Sequence, residues 1–238
     1  MNEDKLKQNY DVREKLIVAL DFDSQMKAMK FVSTVQDKIK VLKVGLELYS
    51  VAGPDLVAKL IDMGFDVFVD LKLHDIPNTV NKAAKVLGRM GVKYATAHAA
   101  GGKEMLVSAN EGFLEGRTDA KLKGDCYMLG VSVLTSDVGH SVDLLISRVK
   151  EIEDARLSGL VCSGVDLNIL KSAGNRMFKV VPGIRPPGSS KDDQIRVVTP
   201  NEAIQMGADM IVVGRPITAA KNPSAVIDSI LDSISNAS

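Results

Sequence analysis

The amino-acid sequence predicts an α/β fold: a single (β/α)8 TIM barrel with its site at the C-terminal ends of the strands. Three observations point there. Eight short apolar runs alternate with longer amphipathic stretches along 238 residues. No G-x-G-x-x-G follows the first run, and the competing open doubly wound sheet would ordinarily show fewer units. In the first three runs the charged side chains share one phase of the strand alternation, and the opposite phase is apolar.

The expected strands are "LIVALDF" (16–22), "VLKVGLEL" (41–48), "DVFVDLKL" (66–73), "YATAHA" (94–99), "YMLGVSVL" (127–134), "GLVCS" (159–163), "FKVVPGI" (178–184) and "MIVVG" (210–214). Between them lie helical patterns such as "SQMKAMKFVSTVQDK", "PDLVAKLIDMG" and "NTVNKAAKVLGRMG", several of them stopped by Gly. "TPNEA" reads as a helix start, with Thr199 as cap and Pro200 in the first turn. No linker, low-complexity segment or short repeat interrupts the pattern. One domain over 1–238 is expected, with 1–14 as an N-terminal extension.

Composition narrows the partners. Lys and Arg number 30 and so do Asp and Glu, which argues against non-specific binding to nucleic acid or an anionic membrane. The N-terminus "MNEDKLKQNYDVREK" has no apolar centre, so no signal peptide is expected. No apolar stretch reaches the ~18 residues of a membrane span. A cytoplasmic protein is the expectation. Cys126 and Cys162 lie in apolar runs and read as buried free thiols.

Alternation then locates a constellation. In the first strand Ala19 and Asp21 oppose Val18, Leu20 and Phe22. In the second, Val41, Lys43, Gly45 and Glu47 oppose Leu42, Val44, Leu46 and Leu48. In the third, Phe68, Asp70 and Lys72 oppose Val67, Val69, Leu71 and Leu73. Asp21, Lys43, Asp70 and Lys72 should therefore converge on the barrel mouth. A solvated rim is the bland alternative, but it does not explain the apolar outward phase. Interleaved carboxylates and ammonium groups should stabilise one another's ionised forms. Ammonium groups compete with a cation, and His74, His98 and His140 are not at ligand spacing, so no metal site is expected. A lone His98 or His74 is more simply a structural contact than a catalytic group. No Ser or Cys nucleophile paired with His stands out. A Schiff-base role for Lys72 would need an unprotonated amine, which flanking acids oppose. An ammonium beside a carboxylate can instead give a proton to a developing carbanion.

The second informative region is 180–217. The loops after the seventh and eighth barrel strands often bind phosphate. Here they carry "PGIRPPG" and "VVGRPI". Gly214 lets the backbone approach an anion, and Arg185 and Arg215 can fork onto phosphate oxygens. The Pro/Gly/Ser-rich loop 185–198 reads as a candidate lid.

"LDFD", "KVGLEL", "DLKLHDIPNTV", "SVLTS", "VPGIRP", "DDQIRV" and "GADMIVVGRPI" together resemble the orotidine 5′-phosphate decarboxylase family, in the family's order from residue 16 to 220. The resemblance implies metal- and cofactor-free decarboxylation of orotidine 5′-phosphate to UMP in pyrimidine biosynthesis. It implies a catalytic network of Lys43, Asp70, Lys72 and Asp75, in which Lys72 donates the proton, Asp70 lies by the substrate carboxylate, and Lys43 holds the network and a ribose hydroxyl; Asp21 also contacts the ribose. It places Thr135 near the pyrimidine, and Arg185, Gln194, Gly214 and Arg215 on the 5′-phosphate. It sends Asp75, Ile76 and Thr79 into the neighbouring site of a homodimer. Two other readings remain: a metal-dependent 3-keto-hexulose-phosphate decarboxylase or synthase of the same superfamily, and a non-catalytic nucleotide-binding barrel. The first shares a D-x-K-x-x-D core, but typically has Ala-Gly where this chain has "IPNT".

Overall fold

The structure is a computed structural model and describes residues 11–134, 137, 139–186 and 198–237. Eight parallel strands close into a barrel in chain order. They are β1 (Leu16–Ala19), β2 (Val41–Gly45), β3 (Asp66–Leu73), β4 (Tyr94–His98), β5 (Tyr127–Val131), β6 (Gly159–Val161), β7 (Phe178–Val181) and β8 (Met210–Val213). Closure is the pairing of β8 with β1, Ile17 opposite Val212.

The helices follow the strands: α1 (Gln25–Val35), α2 (Leu46–Asp62), α3 (Pro77–Arg89), α4 (Gly102–Asp119), α5 (Val142–Asp154), α6 (Asp166–Ser172), α7 (Pro200–Gln205), α8 (Arg215–Thr218) and α9 (Pro223–Ser235). Thr199 caps α7 in a reciprocal box with Glu202, with Pro200 in the first turn as the sequence predicts. Gly64 and Gly91 follow α2 and α3 with φ of 89° and 84°, the left-handed stop that glycine adopts without a Cβ clash.

Alternation sorts the apolar side chains into two cores. The interior of the barrel holds Ile17, Ala19, Val41, Phe68, Val180 and Val212, among others. Val18, Leu20, Leu42, Val44, Val67 and Val69 face the helices. This is the phase assignment expected from sequence. Aromatic side chains floor the interior: Tyr94 stacks on Tyr127 at 5.1 Å, Tyr127 on Phe178 at 5.5 Å, and Phe68 meets Tyr94 edge-on at 6.0 Å. The mouth above Phe68 is thus closed from below.

Seven of the eight strands stop one to three residues before the expected end. Leu20, Val133 and Cys162 lie past the last pair and are still at most 2 % exposed. An apolar residue reports burial, not ladder pairing, so periodicity overruns the strand. The largest consequence is at β2. Glu47, expected on the inward phase of a strand, is exposed in the first turn of α2, and Leu46 with it. A helix already begins there and kinks at Gly53, φ 62°, ahead of Pro54.

Helices α3 and α4 pack backbone to backbone behind β3 and β4. A Cβ at Gly112 or Gly116 would lie 2.2 or 2.1 Å from the carbonyl oxygens of Asn81 and Lys85. This close seam backs β3, which carries Asp70 and Lys72, and its neighbour β4.

Candidate active site

At the C-terminal ends of β1, β2 and β3 the charges form an alternating row. Lys43 Nζ lies 3.5 Å from Asp21 Oδ1 and 3.8 Å from Asp70 Oδ2. Lys72 Nζ donates to Asp70 Oδ2 at 3.0 Å. The four residues that alternation grouped are therefore brought together, with Asp70 bridging both lysines. Lys43 and Asp70 are mostly enclosed, whereas Asp21 stands nearly half exposed at the edge.

Two adjoining hollows share Lys43, Asp70, Pro182 and Val212. One is walled by Phe68, Val131, Val133, Leu134, Val161 and Cys162, with Lys72 at its side. It suits a flat, weakly polar ring. The other is bounded by Asp21, Gly183, Arg185, Gly214 and Arg215. It suits an anion. Gly214 is the N-cap of α8 and Arg215 its first residue. A Cβ at Gly214 would lie 3.0 Å from Asp21 Oδ2. Arg185 is buried and its Nη1 donates to the Ile184 carbonyl at 3.1 Å. The ends of segment 185–198 meet where the Arg185 N–H donates to the Val198 carbonyl at 3.0 Å. Thr135 and Gln194, both expected in the site, and residues 187–197 of the expected lid lie outside the described residues.

Asp75, Ile76 and Thr79 stand apart from the row, exposed at the start of α3. Asp75 Oδ1 accepts the Ile76 N–H at 2.7 Å, and Ile76 is 65 % exposed. His98 makes the contacts of a structural residue: its Nδ1 accepts the Ala100 N–H at 3.1 Å and its ring stacks on His74. Burial, then the nearby Arg148, His74 and Lys72, push its imidazole below the ordinary histidine range. Both cysteines are free thiols, Cys162 buried and Cys126 partly so. Burial pushes the Cys162 thiol up to about 12. Among the described residues no three His, Cys, Asp or Glu side chains are grouped to hold a metal ion.

A model of the orotidine 5′-phosphate decarboxylase / HUMPS family matches residues 14–230. The chain belongs to that family. A relative from Vibrio parahaemolyticus named orotidine 5′-phosphate decarboxylase is 40% identical over 236 residues, 94% of this chain and 99% of its own. Another of the same name from Pseudoalteromonas translucida is 41% identical, again over 94% of this chain and 99% of its own. The crystal structure of orotidine 5′-phosphate decarboxylase from Lactobacillus acidophilus superposes with a TM-score of 0.80 at 34% identity, covering 92% of this chain and 98% of that one.

Two features of this family member were not foreseen from its sequence. Thr96, fully buried on β4, bonds both Asp70 and Lys72. Its signal was only a hydroxyl among alanines in "YATAHA", which reads as ordinary strand. The second is a buried polar triplet beside the mouth. Ser163 Oγ donates to Asp166 Oδ2 at 2.8 Å, and His140 Nε2 lies 3.4 Å from Asp166 Oδ1. The acid sits between the other two, so this is not a nucleophile–base pair; it ties the segment after β5 to the end of β6.

Proposed function

We propose that this protein decarboxylates orotidine 5′-phosphate to UMP and CO₂ in pyrimidine biosynthesis, without metal or organic cofactor. The observation that carries this reading is the Asp21–Lys43–Asp70–Lys72 row, lying between an apolar hollow and an arginine-lined one. The pyrimidine occupies the apolar hollow, with Thr135 beside it. The phosphate occupies the other, held by Arg185, Gln194, Gly214 and Arg215. Asp21 and Lys43 take the ribose hydroxyls between them.

The bond from the pyrimidine ring carbon to its carboxylate breaks, and CO₂ leaves. The electron pair stays on the ring carbon, which has no adjacent carbonyl to take it. Lys72 Nζ lies where that charge appears and gives up a proton to it; solvent then restores the ammonium. A preoriented ammonium acts on the developing charge more strongly than water, because it need not reorganise. Asp70 fixes Lys72 and faces the departing carboxylate. Phosphate binding, remote from the reacting carbon, supplies energy to assemble the site.

A functional homodimer is part of the proposal. Asp75, Ile76 and Thr79 make no contribution to their own row and stand exposed on the rim, as residues that complete a neighbouring site across a two-fold axis would. We take the protein to act in the cytoplasm as a single-domain barrel; among the described residues no helix is long and apolar enough to cross a membrane. No nucleic-acid or membrane partner is proposed.

The family name spans two chemistries, and the row favours the decarboxylase. Lys72 belongs to the shared D-x-K-x-x-D core and does not discriminate, but the Lys43 ammonium stands between Asp21 and Asp70, where it competes with any divalent cation, and "IPNT" replaces the Ala-Gly typical of the hexulose-phosphate enzymes. The test is one assay. Purified protein with orotidine 5′-phosphate and excess chelator should steadily consume the substrate's ultraviolet absorbance. No consumption, or consumption abolished by chelator, overturns the reading.

A further inference from the structure

Strands β3 and β4 are not in simple register at the site. Val69 pairs with Ala95 and Leu73 with Ala97, so Asp70, Leu71 and Lys72 together face the single residue Thr96. The excess residues are accommodated by a bulge in which Lys72 takes φ of 50°, a left-handed conformation disfavoured for any residue with a Cβ. A bulge displaces ladder partners, and the Lys72 N–H here finds a side chain. It donates to Thr96 Oγ1 at 2.9 Å. The same hydroxyl donates its one proton to Asp70 Oδ1 at 3.0 Å. The other carboxylate oxygen, Asp70 Oδ2, takes the Lys72 ammonium at 3.0 Å. Thr96 is fully buried, so no solvent competes for the hydroxyl.

We infer that Thr96 is a positioning residue for the proton donor, its hydroxyl locking the bulge and the Asp70 carboxylate together so that Lys72 is presented at one place. The reasoning is a closed ring: Lys72 main chain to Thr96 hydroxyl, hydroxyl to Asp70, Asp70 to Lys72 ammonium. Each bond fixes a different freedom. The first holds a strained backbone conformation in place. The second sets the plane of the carboxylate. The third then has only one direction left. A hydroxyl with a single proton cannot donate to Asp70 and also turn elsewhere, so accepting from Lys72 and donating to Asp70 are coupled. A β-branched side chain adds to this, because Thr has few χ1 choices on a strand. Removing the hydroxyl leaves Asp70 Oδ1 without this bond, the carboxylate restrained only through Oδ2 by the two lysines, and the Lys72 backbone without its tie to β4.

The inference rests on the decarboxylase reading, and two pairs of proteins that differ by one hydroxyl test it: wild type against Thr96→Val, and Thr96→Ser against Thr96→Ala. In each pair the hydroxyl should raise kcat by about tenfold to a hundredfold, the range of a slightly misplaced reacting group. KM should stay within about threefold, since lost transition-state interactions leave uniform binding unchanged. Thr96→Ser should recover most of the wild-type kcat. Equal kcat within either pair, or a change carried by KM, overturns the inference. Amide exchange at Lys72, read by NMR, keeps the test independent of turnover and reports any variant that fails to fold. Lys72 should exchange faster without the hydroxyl, relative to Val69, and regain protection in Thr96→Ser; unchanged protection also overturns it. Wild-type protein that leaves the substrate intact defeats the decarboxylase reading, while the exchange comparison still decides the role of Thr96.

Discussion

Lys43 Nζ lies 3.8 Å from Asp70 Oδ2, although the residue paired with Asp70 across the β2–β3 ladder is Gly45. The lysine reaches two residues up its own strand to make the contact. It passes over Gly45, where a Cβ would lie 2.9 Å from the ammonium nitrogen. The empty side of Gly45 is thus the space in which Lys43 meets both Asp21 and Asp70.

Gly45→Ala tests this relationship. Its φ of −92° suits alanine, so the backbone should be unstrained and the melting temperature little changed. The added methyl should push the ammonium away from the aspartates and lower turnover by about tenfold or more. Wild-type turnover would mean that the lysine reaches the same place by another path.

Lys72→Ala removes the proposed proton donor. Turnover should fall by many orders of magnitude while the far-ultraviolet circular dichroism and the melting temperature persist. Turnover within about tenfold of wild type, only about 1.4 kcal/mol of barrier, would exclude that role.

Arg215→Ala should weaken binding of the nucleotide by about 1.5–3 kcal/mol, the worth of a hydrogen bond to a charged group. The parent nucleoside should be spared, and phosphite dianion should partly restore its turnover in the wild type. Equal losses for nucleotide and nucleoside would make Arg215 a structural residue.

The rim residues predict complementation. Homodimers of Lys72→Ala and of Asp75→Ala should each be nearly inactive. Refolded together in equal amounts, about half the dimers are mixed, and about 25% of all sites carry no lesion by two-fold counting. Activity should climb towards that fraction. If Asp75 served its own subunit, each site of a mixed dimer would carry one lesion, and nothing would recover. A monomer in sedimentation at working concentration also ends the idea.

Cys162 gives a pH dependence with a definite sign. Burial, then the neighbouring Asp166, raises its thiol to about 12 in the folded chain, against about 8.5 in an unfolded one. The folded state therefore keeps a proton that the unfolded state releases, and stability falls as pH rises through that window. The contribution is fully present below about 8.5. Urea unfolding from pH 8 to 10 should show a shallower decline for Cys162→Ala than for wild type; parallel declines would refute the assignment. Native protein should also leave Cys162 unlabelled by iodoacetamide until it is denatured.

Side-chain alternation along single strands was enough to place Asp21, Lys43, Asp70 and Lys72 on the inward phase, because inward and outward phases face different solvents whichever strand is next. Helix caps such as Thr199 with Pro200 were equally legible, since they depend on neighbours a few residues away. Strand ends were not: Leu20 and Val133 are apolar because they are buried, and no local rule says that they leave the ladder. Glu47 was misplaced for the same reason, its run continuing from β2 into α2 without losing its apolar partners. What only the tertiary structure decided is the register between strands. Within β3, Asp70 and Lys72 read as a regular pair on one face, and nothing in "DLKL" announces a bulge. The bulge lies opposite Thr96 of β4, and Thr96 comes within bonding distance only when residues 26 and 24 positions apart are brought side by side. A hydrogen bond between strands depends on where two chains stop relative to one another, and that is a property of the closed barrel rather than of either segment.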